Sequence, residues 1–144
     1  MKSSPVFISV FDRVDHFKKC IESLESNKGA SETELYISSD GPFDDGTALR
    51  VASVREYIKT IKGFKKINLF APDENTDKKV ISVAKQNMFS DHDSYIGTED
   101  DNIFSPFFLD FLNKGLNLFR YDKEVFAICG YNYSGFPSPS GPVA

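Results

Sequence analysis

Short apolar runs alternate along this chain with longer segments whose apolar residues recur at helical spacing. The run "PVFISVF" (5–11) is β-branched and aromatic, and Pro5 and Asp12 bound it, so it predicts a buried strand. Asp12 is placed to cap the following helix, with Asp15 in its first turn. Val14, Phe17, Ile21 and Leu24 form that helix's inner stripe, and Asn27 to Gly29 end it. "TELYISSDGP" (33–42) predicts a second strand that stops at Asp40-Gly41-Pro42. Thr47 is the expected cap of a second helix carrying Val51, Val54, Ile58 and Ile61 inward, with Gly63 as its stop. "KKINLFAP" (65–72) is a third strand, and Asn75 or Thr76 opens a third helix with Val80, Ile81, Ala84 and Met88 inside. "SYIGTE" (94–99) is a fourth strand. Ser105-Pro106 suits the start of a fourth helix, because proline loses no needed hydrogen bond at a first helical position. Phe108, Leu109, Leu112, Leu116 and Phe119 supply its inner face, and "EVFAICGY" (124–131) predicts a fifth strand.

Strand followed by helix, repeated and closed by a last strand, predicts an α/β fold: a mainly parallel, Rossmann-like sheet flanked by helices through right-handed crossovers. One domain is expected over residues 1–131. Residues 132–144 are rich in Gly, Pro and Ser without periodicity and read as a loop or tail.

Composition narrows the picture modestly. The 144 residues are 40% hydrophobic and 26% charged, the profile of one globular domain that buries roughly two-thirds of its exposable surface. With 14 Phe and no Trp, the core is expected to be Phe-rich. A net charge of −4 lacks the basic footprint that nucleic acid calls for, although Lys65-Lys66 and Lys78-Lys79 are local candidates for anions. No apolar run approaches the ~20 residues that span a bilayer, and "MKSSPVFISVF" is interrupted too soon to be a signal peptide, so a cytoplasmic location is expected. Cys20 and Cys129 both read as buried, reduced thiols, and His16 and His92 as surface residues. Asn132-Tyr133-Ser134 is a glycosylation sequon that carries little weight alone.

The chemistry gathers at strand ends, where open parallel sheets bind ligands. Phe11-Asp12-Arg13, Ser39-Asp40-Gly41 and Glu99-Asp100-Asp101 all fall there. Adjacent carboxylates resist joint ionisation, and a hard divalent cation such as Mg²⁺ or Mn²⁺ offsets that repulsion. Alternation at a strand end points Glu99 and Asp101 one way and Asp100 the other. A plainer reading also stands: acids favour a helix start, Asp-Gly-Pro is a common turn, and Arg13 and the Lys78-Lys79 pair suit solvated helix positions. The Phe104, Phe107, Phe108 and Phe111 cluster reads as core. "DENTDKKVISVA" lacks the Gly and Glu of a calcium loop, and no Gly-rich phosphate loop or G-x-S-x-G elbow is present.

The segments "PVFISVFDRVDHFKKCIESL", "ELYISSDGP", "SYIGTEDDNIFSPFFLDFLNKGL" and "VFAICGYN" together resemble the donor half of GT-A-fold glycosyltransferases. The likeness is to the N-acetylglucosaminyltransferase I-like and family 2-like groups, with Glu-Asp-Asp as an acidic version of the DXD motif. It covers nearly the whole chain up to about Tyr131. The resemblance implies a nucleoside-diphosphate sugar as donor, a UDP sugar favoured, and a saccharide or other glycosyl acceptor. It implies that Ser9, Phe11 and Arg13 line the nucleoside pocket and that Asp40 hydrogen-bonds the base or ribose. Glu99 and Asp100 would contact the ribose or sugar, and Asp101 would ligate Mn²⁺ or Mg²⁺. Lys79, with Asn75 and Lys78, falls near the donor in a looser match.

Such relatives are longer and place their acceptor site and catalytic base after the fifth strand. The chain is therefore expected to be a fragment, or a donor-binding module completed by another chain, and to transfer sugar poorly alone. Its catalytic base and its oligomeric state are not assigned. Two alternatives are weighed. A sugar-nucleotide nucleotidyltransferase would carry a Gly-rich basic loop after strand one, which "FDRVDHF" lacks. A receiver-like, non-catalytic signalling module would pair acids after strand one and place a phosphorylatable Asp after strand three; Asp12 stands alone, and strand three ends "LFAPDEN".

Overall fold

A computed structural model of the chain describes residues 3–131. Four parallel strands form one sheet in the order β3-β2-β1-β4, with β1 at Val6–Val10, β2 at Glu34–Ser39, β3 at Lys66–Phe70 and β4 at Ile96–Glu99. Between them run α1 (Val14–Glu25), α2 (Asp45–Ile58) and α3 (Lys79–Asp91), and α4 (Phe108–Leu118) follows β4. The α/β, Rossmann-like expectation therefore holds.

The period of two in β1 and β2 divides the interior. Val6, Ile8, Val10, Leu35 and Ile37 face α1, α2 and α4, where Phe17, Ile21, Leu24, Val54, Ile58, Leu109 and Leu112 complete the larger core. Phe7 and Tyr36 point to the other side and meet Ala84 and Met88 of α3. Phe17 is fully buried, edge-on to Tyr57 at 5.7 Å.

Several helix ends differ from expectation, one through a local box and two through partners distant in sequence. Asp44, not Thr47, caps α2. The Thr47 N–H donates to Asp44 Oδ1 and the Asp44 N–H to Thr47 Oγ1, a reciprocal box with Thr47 three residues inside. The first residue of α1 follows Arg13, and Asp12 supplies no cap; its carboxylate instead accepts from Arg50 Nε of α2 at 2.8 Å. The fourth helix begins at Phe108, later than Ser105-Pro106, where the buried Asn27 side chain reaches across to accept the Leu109 N–H at 3.0 Å. Beyond α2, Gly63 does mark a reversal, left-handed at φ 81°.

The fifth strand does not form. Among the described residues, 124–131 have no ladder partner, and Ile128 packs on α4 instead. Ile128 packs where a Cβ on Gly115 would sit, and Phe108 lies equally close to Gly130. Phe126 is left fully exposed. Cys129 is consequently exposed rather than buried, whereas Cys20 is buried as expected. His92 is also buried, contrary to its reading as a surface residue: it ends α3 edge-on to Tyr36 with Nε2 3.5 Å from Glu34. The aromatic cluster divides, with Phe104 and Phe108 packed together at 4.3 Å and Phe107 and Phe111 exposed. The tail and its sequon lie outside the described residues. No helix among the described residues is long and apolar enough to cross a membrane.

Phe17→Ala should cost about 3–5 kcal/mol, a large part of a typical domain's stability. Phe126→Ala should stay within about 0.5 kcal/mol. Urea unfolding of the two variants checks this; similar losses in both would contradict the packing described.

Candidate functional site

β1 is paired in parallel on both sides, and its register fixes the site. Ser9 lies opposite Ser38 on β2 and opposite Glu99 on β4. Residues opposite one another in a parallel ladder share a face, so Ser9, Ser38 and Glu99 project toward the α3 side. Neighbouring strands are about 4.8 Å apart, which sets Ser38 and Glu99 about 10 Å from one another across Ser9. The turns after β1, β2 and β4 thus finish along one edge.

A cavity of about 310 Å³ opens at that edge, lined by Ser9, Val10 and Phe11 of β1 and its end, Asp40 and Phe43 after β2, and Asn75, Asp77, Lys78, Val80 and Ile81. Its walls are mostly apolar with a few polar groups, the usual composition of a small-molecule pocket. Phe11 and Phe43 stack at 5.5 Å and 13°, with Phe43 mostly exposed. A larger cavity of about 490 Å³ lies elsewhere, around Ser4, Ser94 and Asn113, beside the starts of β1 and β4 rather than their ends. Strand direction gives the smaller one the stronger claim to function.

The loop before α3 forms one wall, and Asp40 holds it. The Asp40 carboxylate is buried, and its Oδ1 accepts from the Gly41 N–H, the Thr76 N–H and Thr76 Oγ1, each at 2.9 Å. Its Oδ2 accepts from the Lys78 N–H at 2.9 Å. Burial alone would push this carboxyl upward, but the bonds from Thr76, Lys78 and Gly41 outweigh it and hold the group below the ordinary aspartate range. Asp77 and Lys78 are both left-handed, at φ 52° and 66°, which costs about 1 kcal/mol each for a side-chain-bearing residue. Hydrogen bonds to an ionised carboxylate contribute about 1.5–3 kcal/mol each, so the anchor exceeds the strain. Asn75 Nδ2 donates to the Gly41 carbonyl at 2.8 Å, and any side chain at Gly41 would collide with the Glu74 backbone. Arg55 ties the same region from below, donating to the carbonyls of Ser39 and Pro72.

Across β1, the acidic turn is balanced by a cation from the chain itself. Arg13 Nη2 donates to Asp100 Oδ1 at 2.5 Å and reaches Asp101 Oδ2 at 3.3 Å. Asp100 is buried, while Glu99 and Asp101 are exposed, as strand alternation predicts. The hydrogen bond to Asp100, followed by its charge, holds the Arg13 guanidinium more firmly protonated than usual. Beneath the turn, Cys20 Sγ donates to the Glu99 carbonyl at 3.5 Å. Burial, then the charges of Asp100 and Asp101, push the Cys20 thiol up to about 12.

Oxygen donors of this kind suit Mg²⁺ or Mn²⁺. The Asp101 carboxylate is accessible and makes only the longer contact to Arg13. Among the described residues no group of three or more His, Cys, Asp or Glu is arranged to hold a metal ion. A cation at Asp101 would therefore take its remaining oxygens from a ligand, as Mg²⁺ commonly does with phosphates.

Of the residues singled out in the sequence, Ser9, Phe11 and Asp40 meet at the cavity, and Arg13, Glu99, Asp100 and Asp101 meet at the acidic turn. Lys79 does not line the cavity; its neighbour Lys78 does, because two left-handed residues turn the chain just before the helix. Phe43 and Thr76 were not anticipated as site residues. An aromatic directly after Asp-Gly-Pro, outside any apolar periodicity, was the available signal for Phe43.

No family model matches the chain, and no curated protein matches its sequence. Its fold does match S. aureus TarS, a glycosyltransferase, with a TM-score of 0.60 and 12% identity over 82% of this chain and 20% of that one. A structure of S. aureus TarS 1-349 matches with a TM-score of 0.57 at 12% identity, over 82% of this chain and 33% of that one. The likeness shows a shared Rossmann-like α/β fold, and the chain spans a third or less of the length of these structures.

Two measurements follow from this geometry. A thiol reagent at neutral pH should modify Cys129 rapidly and Cys20 only on unfolding; rapid labelling of both would contradict the packing beneath Glu99. Because the folded Asp40 lies below its unfolded value of about 4, its contribution is complete above that value and is lost as pH falls through the lower folded value. Acid unfolding of Asp40→Asn should lack this increment, so that its stability and the wild type's converge toward low pH.

Proposed function

We propose that this chain binds a nucleoside-diphosphate sugar together with Mn²⁺ or Mg²⁺ and serves as the donor-binding part of a glycosyltransferase. The observation that carries the reading is the shared register of Ser9 with Ser38 and Glu99, which sets an aromatic-lined cavity and an accessible acidic turn side by side at the carboxyl edge of a parallel sheet. A glycosyltransferase-like fold supports it independently.

In this reading the base and ribose enter the cavity against Phe11 and Phe43, with Ser9 at its floor. The diphosphate then lies over the end of β1, toward the acidic turn. Asp101 holds the cation, Glu99 meets the ribose or sugar, and Asp100 acts through Arg13. When bound, the cation stabilises the negative charge that grows on the departing diphosphate. Arg13 contributes a fixed positive charge at the same place and leans toward the ligand as Asp101 turns to the cation. Lys78 stands at the cavity wall as a further cation for the phosphates. A UDP sugar is the favoured donor, and a saccharide or other glycosyl acceptor completes the reaction.

Calorimetric titration with UDP, CDP and GDP, with and without Mn²⁺, tests the reading. Uptake of a nucleoside diphosphate that strengthens with Mn²⁺ is the expected result. Losing a supporting partner of a metal site costs roughly 10–100-fold, so Asp101→Asn should lose at least that much of the metal-dependent part. Binding that ignores both Mn²⁺ and Asp101→Asn would refute the assignment of the cation.

A further inference from the structure

We propose that Phe43 is a side-chain gate on the cavity. In the free protein its ring lies on Phe11; it swings away to admit a nucleobase and then covers the base's outer face, so that the base is held between the two rings. The inference rests on the reading of that cavity as the nucleotide pocket, and adds to it a movement and a seat for the base.

Phe11 and Phe43 both line the cavity, and their rings lie 13° from parallel with centroids 5.5 Å apart. A stacked base takes about 3.4 Å on each side, the rise per base in a duplex. Two such spacings exceed the ring separation, so no base fits between the rings as they lie. One of them must move, and their surroundings decide which. Phe11 directly follows β1 and is half-buried, whereas Phe43 is 67% exposed and so stands at the opening.

The backbone on either side of Phe43 is pinned. Gly41 donates to Asp40, accepts from Asn75 and lies tight against the Glu74 backbone. The Phe43 N–H donates to Thr47 Oγ1 at 3.2 Å, and Asp44 is already the cap of α2. Between the two anchors there is, besides Phe43, only Pro42, whose ring fixes its own φ. The swing is therefore a side-chain rotation between staggered wells, which exposed residues make in picoseconds to nanoseconds. Every base has a π-face, so a gate of this kind adds affinity without choosing the base. It leaves the diphosphate and cation alone, because in the proposed site these lie toward Arg13 and Asp101.

Ring-to-ring and ring-to-base nuclear Overhauser contacts would be measured with UDP and Mg²⁺, and affinities for UDP, CDP, GDP and inorganic pyrophosphate with Mg²⁺ on wild type, Phe43→Ala and Phe43→Tyr. The free protein should show Phe11–Phe43 contacts. Saturating UDP should abolish them and give contacts from the uracil protons to both rings. Phe43→Ala, a change at an exposed side chain, should bind each nucleotide that the wild type binds about tenfold more weakly and pyrophosphate equally well, while Phe43→Tyr keeps wild-type affinity. Ring contacts that persist with the base bound, uracil contacts to Phe11 alone, an equal loss for pyrophosphate, or unchanged nucleotide affinity in Phe43→Ala would each overturn the gate and leave the proposed function standing. Where pyrophosphate binds too weakly to measure, the ring contacts decide. If the wild type binds no nucleotide at all, the gate falls together with the proposed function.

Discussion

Because β1 is hydrogen-bonded in parallel to strands on both sides, three strands must finish at the same edge, and every feature of the candidate site follows from where they finish. A slip of one residue in either pairing would turn Glu99 or Ser38 to the opposite face. The alternation of Val6, Ile8 and Val10 with Phe7 and Ser9 prevents that slip, since the first set is needed in the larger core and the second faces α3. Packing in the interior thereby sets which polar groups meet at the rim.

At that rim the acids are treated differently, and the difference determines what each can do. Asp12 pairs with Arg50, Asp40 accepts from three backbone N–H groups and the Thr76 hydroxyl, and Asp100 is buried against Arg13. Glu99 and Asp101 are left accessible at the turn after β4, and Asp77 on the cavity wall. Three adjacent carboxylates are tolerable here because a guanidinium already lies among them. That arrangement gives Arg13 two roles in the proposed site, counter-charge before a cation arrives and phosphate contact afterwards.

Much of this was legible in the sequence, for reasons that can be named. Strands one and two announce themselves because buried parallel strands are rich in aliphatic and aromatic residues, as "VFISV" and the "LYI" of "ELYIS" are. The inner stripes of α1, α2 and α3 follow directly from spacing. Alternation correctly separated Asp100 from its neighbours. Apart from the local box that makes Asp44 the cap of α2, what failed depended on contacts distant in sequence. "EVFAICGY" has strand composition, but composition cannot supply a ladder partner, and Ile128 packs on α4 while Phe126 is left exposed. With it went the burial of Cys129. Asn27 as the cap of α4, Arg13 as the partner of Asp100 and the left-handed turn that brings Lys78 rather than Lys79 to the cavity each join residues that no local window compares. Phe43 is a smaller case, a loop aromatic whose stacking on Phe11 requires both strand ends to be in place.

The central claim is that the turn after β4 and the cavity beside β1 and β2 belong to one ligand site. Backbone NMR of the chain titrated with a nucleoside diphosphate and Mg²⁺, then with Mn²⁺ substituted, tests it most directly. The account predicts shift changes at Ser9, Phe11, Phe43 and residues 75–78 on nucleotide addition, with Mn²⁺ broadening centred on residues 99–101 and Arg13 only while nucleotide is present. Broadening centred instead at the opposite edge, around Ser94 and Asn113, or an unchanged cavity while the acidic turn responds alone, would contradict it.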